Sequence, residues 1–373
     1  MKRTGKILLL TLALLMLFTL NSYGEDGTDE LISQSGGDEV YSFLPDETRE
    51  LLKETGIDSI SFDSIFAVSP KSVLNLVKKL VTGAIEAPTK SLVKLLSVII
   101  LLSICESFMP EDERIELVSD TIAALFCIVS VITPLTTAIS SAAASVTVSG
   151  DFMKLLIPVL AAIVTASGNP ALAISFRSLA FAGAQVICAV AENCVMPLVG
   201  AVLSIDITGA IMPSFHLSSI TELIKKMLTA ALSFSATIFV SFLGLKGALA
   251  NAADTVASRG IKLAISSAVP VVGGALSEAY SGIMGSLVLA RSTVGIFGIA
   301  AVTLINLPSC IQLLFWIFAL RTGAAAGELF GQEQTAALLK AIASAVTLMN
   351  VVLLFNGVLF IISTALVLLI KQG

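Results

Sequence analysis

From residue 91 onward the chain is a series of apolar runs separated by short polar or Gly/Pro-rich breaks. The runs 91–108, 117–135, 178–205, 227–245, 283–306 and 341–370 each reach the length a transmembrane helix needs, about 17–25 residues. Two shorter runs, 152–166 and 307–320, lie among them. The pattern predicts an all-α polytopic membrane protein, residues 89–373, with six to eight transmembrane helices. Two stretches break the apolar periodicity. Pro158 interrupts 152–166, and Pro270, Gly273 and Gly274 interrupt 261–285 through Val269-Pro270-Val271-Val272-Gly273-Gly274. Proline lacks the amide hydrogen and clashes with a preceding carbonyl, and paired glycines leave the backbone unstiffened, so both are expected helix breaks.

The N-terminal quarter reads differently. Lys2, Arg3 and Lys6 precede an apolar run at 7–20, then Asn21-Ser22-Tyr23-Gly24 places small residues before Glu25. That is the layout of a secretory signal peptide over residues 1–24. An uncleaved anchor is the other reading, although 14 apolar residues are short for a span. Residues 25–70 form an acidic arm that this signal would export. Its first part, 25–42, is rich in Gly, Ser, Asp and Glu, and such a composition predicts an unfolded segment. From Leu44 a short helix is predicted, with Pro45 and two acids in its first turn and Gly56 beyond its end. Residues 71–88 are amphipathic, with Val73, Leu74, Val77, Leu80, Val81, Ala84 and Ile85 set against Asn75, Lys78, Lys79, Thr82 and Glu86. A helix lying in the membrane interface and one packed on the bundle both give that pattern.

Composition narrows the function classes. Of 373 residues, 56% are hydrophobic and only 13% charged, against roughly 25% charged in soluble domains. The net charge of -5 is uneven, since residues 25–68 carry 12 acids and two bases. No basic patch is present, and an acidic arm would repel nucleic acid. The five cysteines sit in or beside apolar runs without a CxxC spacing, so they read as small apolar residues. Walker, HExxH, GxSxG and dinucleotide fingerprints are absent from the sequence, and the lone His216 has no partner set for a metal or a triad. No catalytic, cofactor or metal residue is assigned. The candidates left are polar groups inside apolar runs: Glu192 and Asn193 in mid-run, with Glu278 and Arg291 close enough in sequence to pair. A charge in hydrocarbon is costly, so such groups pair, face water or act in function. The broken segments and Glu192 also fit a secondary transporter for a small solute.

Small residues recur as Gly244-x-x-Gly247, Gly282-x-x-Gly285, Gly295-x-x-Gly298 and Gly323-Ala-Ala-Ala-Gly327. They predict close helix packing, because lipid tails give helices no hydrophobic reason to associate. The stretch Gly244-Leu245-Lys246-Gly247-Ala248, then Ala257-Ser258-Arg259-Gly260-Ile261-Lys262, then Ser266 through Ala279 and on to Val294-Gly295-Ile296-Phe297-Gly298 resembles the stage III sporulation protein AE family of endospore-forming bacteria. The resemblance implies a non-enzymatic membrane subunit of the mother cell–forespore channel, a secretion-like complex needed after engulfment. It implies as partners the other stage III sporulation proteins, including an ATPase, with stage II sporulation protein Q reached from the forespore side. It places the chain in the mother-cell-derived outer forespore membrane, against lipid, and implies no cofactor.

Overall fold

The structure, a computed structural model, describes residues 27–108, 113–190, 193, 196–211, 217–268 and 273–369. Among these residues every element is a helix. Four short helices come first: α1 (Gly27–Gln34), α2 (Gly37–Phe43), α3 (Asp46–Thr55) and α4 (Phe62–Phe66). Seven longer ones follow: α5 (Pro70–Glu106), α6 (Glu113–Ala166), α7 (Pro170–Val190), α8 (Met196–Ile211), α9 (Ser218–Ala268), α10 (Gly273–Leu329) and α11 (Glu333–Leu369). Their ends follow local chemistry. Ser69 accepts a hydrogen bond from the Ser72 amide at 3.1 Å and Pro70 opens α5, where its missing N–H is no loss. Gly56 closes α3 at φ 97°, in the left-handed region where a Cβ is disfavoured.

Among the described residues, five helices hold stretches long and apolar enough to cross a membrane: Pro70–Cys105, Thr121–Ala166, Ser219–Phe242, Met284–Leu329 and Glu333–Ala365. The apolar runs map onto them unevenly. The runs 117–135 and 152–166 belong to one helix, α6, and the runs 283–306 and 307–320 to another, α10. The run 178–205 is divided between α7 and α8. Pro158 is therefore not a break: with Pro134 it lies inside α6, which continues to Ala166. Leu156, Ile157, Val159 and Leu160 around it are all buried, and neighbouring helices hold a proline-bearing helix in place in this way. Pro88 likewise lies within α5, so 71–88 and the apolar stretch after it form one helix. Pro270 lies outside the described residues. At 1.5 Å per residue, α6 and α10 are about 80 and 85 Å long, beyond a hydrocarbon core of about 30 Å.

α10 and α11 form the central hairpin, with α6 antiparallel to α10 against it and α5 on its flank. Close approach occurs where glycine permits it. A Cβ on Gly298 would stand 2.3 Å from Leu156 of α6, and one on Gly295 would stand 2.5 Å from Leu368 of α11. Gly244 and Gly285 have open space around them, so small-residue spacing alone does not mark a contact.

The acidic arm departs most from expectation. Residues 27–43 are two helices, not an unfolded stretch. Ile32, Val40, Leu44, Leu52, Ile57 and Ile65 are buried in the same core as Phe152, Leu156, Val294 and Phe297 of the bundle. Tyr41 sets its ring centroid 6.0 Å from that of Phe297. This burial pushes the Tyr41 phenol above its ordinary pKa range, with the Asp58 carboxylate adding to the effect. The acids point outward while every third or fourth residue is apolar, and this stripe outweighs the average composition. Burying a leucine this fully stabilises by roughly 2–5 kcal/mol against alanine. Leu52→Asp is therefore expected to release α1–α4, read as rapid proteolysis of the arm in membranes, while exposed Glu47→Ala leaves it protected. Equal protection of both variants would contradict the docking.

Candidate functional site

The most distinctive polar feature is a seam inside the α6–α10 crossing. Ser145 and Ser149 are one turn apart on α6, and Asn306 and Ser309 are one turn apart on α10. The Asn306 Nδ2 donates to Ser149 Oγ at 2.7 Å, and the Ser145 and Ser309 hydroxyls pair at 2.8 Å. Asn306 also donates to the Val302 carbonyl at 2.8 Å, which holds its rotamer. Gly357 of α11 covers the amide, where an added Cβ would stand 3.7 Å from Asn306 Nδ2. Serine and asparagine hydrogen-bonding across helices are a means of fixing register where packing alone leaves it loose.

The seam opens into a cleft of about 700 Å³ beneath the arm. Glu47 and Glu50 of α3, Lys79 of α5, Ser141 and Ser145 of α6, and Ser309 and Gln312 of α10 line it. Lys79 is paired with Glu54 of α3, which ties the arm to the bundle across the cleft. Both partners are well exposed, so the tie is weak beside the apolar docking.

A second polar contact joins α8 to α9. Lys225 Nζ lies 2.7 Å from Asp206 Oδ2, with both side chains largely buried. Asp206 directly follows the apolar run 178–205 and stands out in the sequence as an acid there, but its partner, 19 residues further on the next helix, does not.

The other sequence candidates are dispersed. Asn193 is exposed and donates to the Ala189 carbonyl at 2.9 Å, while Glu192 lies outside the described residues. Arg291 is 3% exposed on α10; Gly273, Gly274 and Glu278 belong to the first turns of the same helix, where the structure describes the backbone alone. The seam was missed because isolated serines and one asparagine in an apolar run look like ordinary helix-compatible residues. Among the described residues, no group of three His, Cys, Asp or Glu side chains stands together to hold a metal ion. Cys127 and Cys310 are buried in the apolar core and Cys105 is exposed.

Residues 57–370 match the family model described as stage III sporulation protein AE. The stage III sporulation protein AE of Bacillus subtilis strain 168 is 23% identical over 280 residues, 74% of this chain and 70% of that protein. No solved structure matches.

The Asp206–Lys225 contact carries a thermodynamic signature. Removing one partner of a buried ion pair typically costs about 3–5 kcal/mol, because the other charge is left uncompensated. Lys225→Met is expected to lower the thermal midpoint of the detergent-solubilised protein markedly. Asp206→Leu combined with Lys225→Met is expected to recover most of that loss. A double variant at least as unstable as the single one would show that the pair does not behave as a buried ion pair.

Proposed function

The chain belongs to the stage III sporulation protein AE family, and from that premise we propose that it is a non-catalytic membrane subunit of the mother cell–forespore channel complex. In this reading it acts in the mother-cell-derived membrane around the engulfed forespore, beside the other stage III proteins and an ATPase that supplies energy. Stage II sporulation protein Q would meet the complex from the forespore side. The observation that carries the proposal is the extent of the family match, 57–370, which takes in α5 to α11 and the last part of the arm. The long helices support it, since α6 and α10 exceed one bilayer thickness and offer protein surface beyond the hydrocarbon. The arm, exported by the 1–24 signal, would belong to that extramembrane surface.

A secondary transporter for a small solute is the second reading, favoured by the cleft of about 700 Å³ with its hydroxyl-lined floor. Deletion with time-course microscopy separates the two. A complex subunit is expected to stop sporulation after engulfment, whereas a permease is expected to slow growth on one substrate. The Pro270-Gly273-Gly274 segment supplies a finer test. If it allows close approach to a neighbouring subunit, Gly273→Leu with Gly274→Leu leaves membrane amounts normal, removes co-purifying partners and blocks sporulation after engulfment, since leucine only adds bulk and hydrophobicity. Wild-type sporulation in that double variant would rule out close approach there.

A further inference from the structure

A pocket of about 410 Å³ lies between α7, α9 and α11. Leu179 and Val186 of α7, Phe234 and Phe242 of α9 and Leu359 of α11 make apolar walls. Asn356 of α11 also lines it, 1% exposed, and neither its Nδ2 nor its Oδ1 has a hydrogen-bond partner among the described residues. The floor is closed where α7 and α9 cross, with the Phe239 ring seated on Gly183 so tightly that a Cβ there would stand 2.0 Å away. The rim is open: Val186, Phe234 and Phe242 are all exposed. Only 11% of an apolar 18-residue stretch within Ser219–Phe242 of α9 is buried, against 78% of such a stretch within Met284–Leu329 of α10.

A carboxamide with donor and acceptor both unmet is unfavourable in an apolar surrounding, and no water in hydrocarbon relieves it. The occupant of this pocket therefore has to bring apolar bulk and a hydrogen-bonding group together. A phospholipid does not. Its acyl tails carry no donor or acceptor to offer the amide. A second copy using the same pocket does not fit either, because two amides each on a buried floor cannot meet across a two-fold axis. The walls run over residues 179–190 of α7 and 232–242 of α9, each about 15 Å, which suits about three turns of a helix laid across the rim.

We propose that this pocket receives the apolar side chains of a transmembrane helix from a different subunit, and that an Asn, Gln, Ser or Thr of that helix pairs with Asn356. The inference rests on the reading of the chain as a subunit of a membrane complex. Interhelical hydrogen bonds of this kind fix partner and register between spans.

The test places a photoreactive amino acid at Phe234 or Val186 of the full chain in membranes from sporulating cells. The expected result is one discrete adduct. Peptide mass spectrometry should map it to a transmembrane segment of another protein, with Asn, Gln, Ser or Thr within a turn of the cross-linked residue. Asn356→Leu should weaken the adduct about three- to ten-fold at unchanged membrane amounts, the range expected for losing one such hydrogen bond. Phe242→Ala, which removes aromatic bulk from the exposed rim without placing a charge in the span, should weaken it further. Adducts with phospholipid alone, adducts between copies of this chain, or an adduct that neither variant changes would each overturn the proposal. The adduct is read directly, so a chain that cross-links as described yet proves dispensable for sporulation would sink the functional reading alone.

Discussion

The fold depends on the antiparallel crossing of α6 and α10. Lipid offers helices no hydrophobic incentive to associate, so contact has to come from close packing and internal hydrogen bonds. Here both occur on one face: Leu156 fills the space left by Gly298, and two turns further along Asn306 and Ser309 meet Ser149 and Ser145. Because these two interhelical hydrogen bonds have fixed partners, a slip of one turn would break both. The rest of the structure builds outward from this line. α11 lies against Gly295 and Asn306, and the arm docks on Phe152 and Phe297 from the two crossing helices.

Much of this was legible in the sequence and some was not, for physical reasons. The all-helical, membrane-spanning class followed from run length and charge scarcity alone. The α3 helix with its Gly56 end was equally readable, because capping chemistry is local. The continuity of α6 was hidden. Residues 136–150 are so rich in Ser, Thr and Ala that hydropathy dips and the helix reads as two pieces, yet those small residues are what lets α10 approach. Pro158 sounded a soluble-protein stop signal in a setting where neighbours sustain the helix. In the arm, acidic composition masked an apolar stripe, whose effect depends on position along the helix and not on average content.

The functional site was less legible than the fold. Charged residues in apolar runs drew attention to Glu192, Glu278 and Arg291. The structure instead brings together neutral hydroxyls and amides, which carry almost no sequence signal. Asp206 was visible, but its pairing with Lys225 depends on how α8 and α9 turn back on each other. The residues that carry the family resemblance, 244–298, overlap little with the seam.

The register of the α6–α10 crossing is the central claim, and site-directed disulfide formation tests it most directly. In a chain whose native cysteines are replaced, Ser145→Cys with Ser309→Cys puts sulfurs where hydroxyls stand 2.8 Å apart. Mild oxidation in membranes should join this pair nearly completely, as read by peptide mass spectrometry. Ser145→Cys with Leu313→Cys, one turn out of register, should stay reduced. Equal cross-linking of both pairs, or none at 145 and 309, would contradict the account.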